Sequence, residues 1–192
     1  MKILVRLFFF ILPLSLVSAA NAQSETFTVN PASCQVDFAL AGTGHHVSGT
    51  FHVQSGNVTF TPGSPSLSGL IMVAAGSGNS GESSRDKKMN SEVLNSDKYT
   101  EISFATKSYQ GTLAPSGDSS IQVSGVFTLH GTPHDIVVPM QIHIEGSNLT
   151  AKGQFVVPYV KWGLKNPSIF ILKVAKEVNI DLNLQGQVAG TH

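Results

Sequence analysis

Short runs of alternating apolar and polar residues follow one another from residue 23 onward, and this pattern restricts the fold most strongly. Val36, Phe38 and Leu40 share one face of such a run, and Gly, Pro, Ser and Asn separate it from the next. A period of two places alternate side chains on one face of a strand. Turn residues about every 8–12 positions are typical of antiparallel sandwiches and barrels. The pattern therefore predicts an all-β domain, and no linker or internal repeat divides it.

The first 22 residues have the three parts of a secretory signal peptide. Lys2 and Arg6 precede an apolar run, and Ala20-Asn21-Ala22 is a small-x-small cleavage site. The apolar run of about 11 residues is shorter than the roughly 20 that cross a membrane. We therefore expect cleavage after Ala22 and a mature single domain of residues 23–192 that is periplasmic or secreted. We expect no stable membrane span.

The charge balance excludes some partners. Two of the 12 basic residues lie in the leader, which leaves ten Lys and Arg against 12 Asp and Glu. A mature chain with a slight acidic excess and no basic block is not expected to bind nucleic acid or an anionic membrane surface. The single cysteine, Cys34, cannot form an intrachain disulfide, so the fold must depend on its apolar core.

One segment, residues 83–94, predicts a short helix instead of a strand. Ser83 is the expected N-cap, with Asp86 three residues later in an approximate capping box. Lys88 and Glu92 have the spacing of an ion pair on one helix face. A single amphipathic helix among strands usually lies against a sheet or closes the end of a barrel, and docking must hold it because local pairs stabilise it weakly.

The chemical motifs do not assemble an enzyme. Gly76–Gly81 spells G-x-G-x-x-G, but antiparallel strands and a short polar helix surround it, so a turn is expected there. His130 and His134 flank a hairpin without a carboxylate or thiol at ligand spacing, so we predict no metal site. The sequence has no Gly-x-Ser-x-Gly elbow. We expect no catalytic residues, no cofactor and no enzymatic activity.

The interior is predicted to be rich in phenylalanine. A barrel of eight strands is filled by its own side chains or holds one small ligand, and the residue pattern leaves both outcomes open. The segment from Pro158 to Phe170 gathers aromatic residues, including Trp162, and predicts either a plug over the interior or a ligand-facing flap.

Three motifs occur together in the mature chain: Phe51-x-x-x-Ser55-Gly56-x-Val58-x-Phe60, Arg85-Asp86-x-x-Met89, and Gly125-x-Phe127-x-Leu129-His130-Gly131-x-x-His134. In this combination the chain resembles the YceI-like proteins over residues 27–184. The resemblance implies an extended, lipocalin-like, eight-stranded antiparallel barrel with one short helix. It further implies an exported protein that binds a polyisoprenoid or fatty-acyl lipid for transport, storage or sequestration. Members of the family are often dimeric, so a homodimer is one expected state.

The resemblance also suggests roles for individual residues. It implies that Arg85, Asp86 and His130 order the helix and a hairpin or meet a lipid head group. The chain departs from the family pattern at Leu40-Ala41-Gly42, where the family commonly has a histidine. Two alternatives stay open: an enzyme that modifies lipids or uses the histidines with a metal, and a packed barrel acting as a stress or interaction protein. The residues expected to line a lipid are Phe38, Phe51, Phe60, Met72, Phe104, Phe127, Met140, Phe155, Trp162 and Phe170.

Overall fold

The computed structural model describes residues 23–168 and 173–190, so the predicted leader lies outside the described residues. Within these ranges, ten antiparallel strands form one sheet. The strands are β1 (Glu25–Val29), β2 (Gln35–Gly42), β3 (His45–Phe51), β4 (Val53–Phe60), β5 (Ser66–Ala74), β6 (Glu101–Gly111), β7 (Gly117–Leu129), β8 (Thr132–Glu145), β9 (Asn148–Val157) and β10 (Val178–Gly190).

Eight of these strands close into a ring. In the order in which they pair, these strands are β1, β4, β5, β6, β7, β8, β9 and β10, and β10 pairs again with β1. One edge of β10 pairs with β9, while the other pairs with β2 over Asn179–Asn183 and with β1 over Gly186–Gly190. The predicted all-β, eight-stranded antiparallel barrel is confirmed. Closure satisfies the backbone groups that an open sheet leaves at its edges.

The ring is continuous at one end and interrupted at the other. A 3₁₀ turn at Pro31–Ser33 separates β1 from β2, and β3 breaks from β4 at His52. Beyond this break, β3 does not pair with β5. Residues 75–94, which follow β5 in the chain, lie beside β3 instead. The backbone N–H groups of Thr50 and Asn79 donate to each other's carbonyl oxygens at 2.9 and 3.0 Å. This segment therefore completes the wall where the strands diverge.

The predicted helix is present, with one change at its start. Helix α1 (Ser83–Lys88) continues as a π-helical turn at Met89–Leu94. The N-cap is Glu82, one residue before the predicted Ser83, because the Glu82 carboxylate accepts hydrogen bonds from the backbone N–H groups of Ser84 and Arg85. These bonds satisfy donors that a helix start leaves unpaired.

The predicted ion pair between Lys88 and Glu92 is wrong. Glu92 instead contacts Lys165 at 2.5 Å, and the Lys88 ammonium donates to the carbonyl oxygen of Pro167 at 3.3 Å. Both partners belong to the loop after β9, so contacts between distant segments replace the local one. As expected for such a short helix, its charged side chains bind other parts of the fold.

The core has two parts. The larger cluster runs along the inside of the barrel and reaches its continuous end, which we call the closed end; it includes Phe27, Phe60 and Ile144. The smaller cluster lies at the opposite end, where Leu94, Leu129, Val157, Tyr159 and Leu164 pack together beneath the π-helical turn. The single cysteine, Cys34, is half-buried beside the larger cluster, and burial raises the pKa of its thiol.

Candidate functional site

The inside of the barrel contains a cavity of about 510 Å³. This volume lies within the range of roughly 300–1,000 Å³ that small-molecule sites occupy. Its wall consists mainly of aliphatic and aromatic side chains from the inner faces of the strands. The residue pattern left a filled and a hollow interior equally open, and the structure has the hollow one.

Seven of the ten predicted lining residues border the cavity. Among the others, Met72 and Trp162 do not line it, and Phe170 lies outside the described residues. The seven are Phe38, Phe51, Phe60, Phe104, Phe127, Met140 and Phe155.

The prediction for Met72 is wrong because β5 presents its other face to the interior. The run of residues 70–74 is apolar throughout, so alternation within it does not identify the inner face. The sheet does: Ile71 stands opposite Phe104 in the ladder between β5 and β6, and both line the cavity. Since successive side chains point to opposite faces, Met72 points away while Val73 lines the cavity.

Trp162 contacts the cavity wall without forming part of it. Its ring is stacked on His134, with centroids 3.9 Å apart and an interplanar angle of 7°. It also lies 5.9 Å from the ring of Phe127, which does line the cavity. Trp162 therefore supports the wall by packing against the smaller core cluster, while Tyr159, Leu164 and Pro167 of the same segment line the cavity.

The two hairpin histidines bind different aromatic partners. His130 and Gly131 form the turn between β7 and β8 with φ values of 52° and 73°, a left-handed pair typical of tight hairpins. The His130 ring packs on Tyr99 at 4.1 Å, whereas His134 packs on Trp162. His130 does not line the cavity. Within residues 23–168 and 173–190, no three His, Cys, Asp or Glu side chains come together as metal ligands would.

Arg85 and Asp86 both hold Ser80, the residue that leads into the helix. The Asp86 carboxylate accepts hydrogen bonds from the Ser80 backbone N–H at 2.8 Å and from its hydroxyl at 2.5 Å. Arg85 donates from Nε to the Ser80 hydroxyl at 2.7 Å and from Nη2 to the Ser80 carbonyl oxygen at 3.0 Å. The two side chains order the start of the helix, and Arg85 also borders the cavity.

Charged residues border the cavity at its helix end, which we call the mouth. Glu82, Arg85 and Lys88 come from the helix region, and Lys173 comes from the segment before β10. Sequence reasoning identified only Arg85 among them as a candidate site residue. Lys88 and Lys173 lie far apart in the chain, and only the folded barrel brings both to one opening.

A family model described as the YceI-like domain matches residues 27–186. The chain belongs to the YceI-like family. The match confirms the resemblance inferred from the three motifs. The chain is also 24% identical over 183 residues to the UPF0312 proteins of Pseudomonas savastanoi pv. phaseolicola and Pseudomonas syringae pv. syringae, covering 90% of this chain and 91% of each relative.

Solved structures of similar fold are known for several bacteria. BcnA of Burkholderia cenocepacia aligns with a TM-score of 0.66 at 19% identity, over 84% of this chain and 99% of BcnA. A polyisoprenoid binding domain from Saccharophagus degradans aligns with a TM-score of 0.63 at 13% identity, over 85% of this chain and 98% of that domain. The Campylobacter jejuni YceI protein aligns at 0.55 and 14% identity, over 97% and 98%. These likenesses establish the shared lipocalin-like barrel.

In the part of the chain that the structure describes, no helix is both long enough and apolar enough to span a bilayer.

Proposed function

We propose that the protein binds one long-chain lipid, a polyisoprenoid or fatty-acyl molecule, inside the barrel. The observation that carries the proposal is the hollow apolar interior, with its volume of about 510 Å³ and with charged residues bordering it at the helix end. Burial of a hydrocarbon chain there stabilises the complex by about 0.8 kcal/mol for each CH₂ group removed from water. A chain of several prenyl units would therefore bind tightly with its polar end at the mouth.

The seven predicted lining residues that border the cavity are the proposed contacts of the chain. Aromatic rings give large apolar contact areas, and branched prenyl groups pack well between them. The fold shared with the polyisoprenoid binding domain from Saccharophagus degradans supports this ligand class. Arg85, Asp86 and Ser80 hold the helix beside the opening, so their proposed role is to shape the mouth.

The proposal includes no catalytic step. His130 and His134, the residues on which a metal-assisted enzyme would depend, are engaged with separate aromatic rings. With the leader directing export, the protein would carry, store or sequester its lipid in the periplasm or outside the cell. The homodimer implied by the family resemblance stays a prediction, and sedimentation velocity measures it directly.

A competition titration tests lipid binding. The fluorescent fatty acid cis-parinaric acid is added to the mature protein, and geranylgeraniol is then titrated to displace it. We expect uptake of the probe at one site per chain and its displacement by the isoprenoid. A protein that takes up neither the probe nor the isoprenoid would contradict the proposal and would instead favour a stress or interaction role.

A further inference from the structure

The mouth is the charged part of a cavity that is otherwise almost entirely apolar. Three of its charged residues are cations, Arg85, Lys88 and Lys173, and one is an anion, Glu82. The mature chain as a whole carries slightly more acidic than basic residues. The excess of positive charge at the opening is therefore local and opposite in sign to that of the chain.

The only carboxylate among these lining residues is already engaged. The Glu82 oxygens accept hydrogen bonds from the hydroxyl of Ser84 at 2.6 Å and from the backbone N–H groups of Ser84 and Arg85 at 3.0 and 2.9 Å. Hydrogen bonds from Ser84 hold the pKa of Glu82 below its usual value, so it stays ionised as the cap of the helix. It does not pair with either lysine at the mouth.

The cations keep unused donors. Within the described residues, the Lys173 ammonium has no hydrogen bond or ion-pair partner, and Lys88 donates one bond, of 3.3 Å, to the carbonyl oxygen of Pro167. Arg85 uses Nε and Nη2 on Ser80, which leaves Nη1 without a bond among the same residues. Donors from two distant segments thus meet at the point where the polar end of a buried chain must emerge.

We infer that the mouth selects lipids whose polar end is an anion, a carboxylate or a phosphate, and that Lys88 and Lys173 are the specificity-determining residues. This inference rests on the proposed lipid binding. Attraction between a head group and these cations is strengthened by the adjacent low-dielectric cavity. A carboxylate or phosphate forms an ion pair with these cations in addition to charge-assisted hydrogen bonds, whereas a neutral alcohol accepts hydrogen bonds from them without forming an ion pair.

Three probes with the same hydrocarbon chain separate the head group from the chain: palmitate, hexadecyl phosphate and hexadecanol. Each displaces cis-parinaric acid from the mature protein. We expect both anions to bind about tenfold more tightly than hexadecanol. Equal affinities, or tighter binding of the alcohol, would overturn the inference and leave lipid binding intact. Failure of all three to bind would instead overturn the proposed function, and the inference with it.

Variants assign the preference to the mouth. The changes Lys88→Gln and Lys173→Gln, made together, are expected to reduce the tenfold preference for anions to about twofold or less, with hexadecanol affinity unchanged. Lys87→Gln is the matched control, because it removes the same charge from the same helix but from an exposed side chain that does not line the cavity. A preference that survives the double change, or falls equally in the control, would contradict the assignment.

The unaltered protein gives an independent test that does not depend on the variants folding. Raising the ionic strength from about 0.01 M to about 1 M shortens the Debye length from about 30 Å to about 3 Å. We expect the preference for palmitate over hexadecanol to shrink severalfold across this range. A preference independent of salt would show that the cations at the mouth do not produce it.

Discussion

The closed end and the mouth of the barrel are built by different interactions. At the closed end the ring of strands is continuous, and large apolar side chains such as Phe27, Phe60 and Ile144 are buried. At the mouth the ring is interrupted, and hydrogen bonds to Ser80 and the Glu82 cap hold the helix in the gap. The closed end is therefore held mainly by apolar packing, whereas at the mouth hydrogen bonds hold the helix and charged side chains border the cavity.

The largest expected effect tests the closed end. Ile144 is 5% exposed and does not line the cavity, so Ile144→Ala leaves a void that the surrounding side chains fill only partly. We expect the free energy of unfolding, measured in urea, to fall by about 3 kcal/mol. Val137→Ala is the control, because Val137 on the same strand is 56% exposed and its loss should change stability by less than about 0.5 kcal/mol. Equal effects would show that buried side chains of the closed end such as Ile144 do not stabilise the fold more than exposed ones.

The second effect concerns how far a ligand reaches toward the closed end. Ala151 is a small residue in the cavity wall, and Ala151→Trp would fill the space near it. We expect binding of geranylgeraniol to weaken by about tenfold or more, while the shorter geraniol, which ends nearer the mouth, keeps its affinity. The control is Lys152→Trp, on the outer face of the same strand. Equal losses for both isoprenoids would contradict an elongated site.

The sequence predicted the walls of the barrel better than its mouth. Strict alternation was enough where polar residues separate apolar ones, as around Phe38 and Phe127. It was not enough in β5, because residues 70–74 are apolar on both faces and pairing with β6 decides which face is inner. Lys88 and Lys173 meet only through closure of the whole barrel, so no local spacing predicts them. Glu82 was missed because glutamate is outside the usual set of N-cap residues.

A smaller effect tests how the mouth is held. Asp86→Ala removes the acceptor for both the N–H and the hydroxyl of Ser80. We expect the free energy of unfolding to fall by about 1–2 kcal/mol and proteolysis near the helix to become faster. Asp86→Asn keeps an oxygen at the same place and should recover much of the loss. Lower stability without a change in proteolysis at the helix would indicate that Ser80 does not anchor this end.

The smallest effect is the pH dependence of the helix cap. Hydrogen bonds lower the pKa of Glu82 in the folded protein, so its contribution is present above the unfolded pKa of about 4.3 and is lost as the pH falls through the lower folded value. We expect Glu82→Gln to lower the melting temperature at pH 7 and to match the unaltered protein near pH 2. A difference that persists at low pH would show that the cap does not act through its charge.

Native mass spectrometry of the protein, gently purified from its own cells, tests the central claim most directly. We expect one hydrophobic molecule with an acidic head group to be bound to each chain and to be released by organic solvent. The Ala151→Trp protein is expected to lack this molecule. A chain that emerges at its bare mass, and stays there after incubation with palmitate and geranylgeraniol, would contradict the proposal that this barrel holds a lipid.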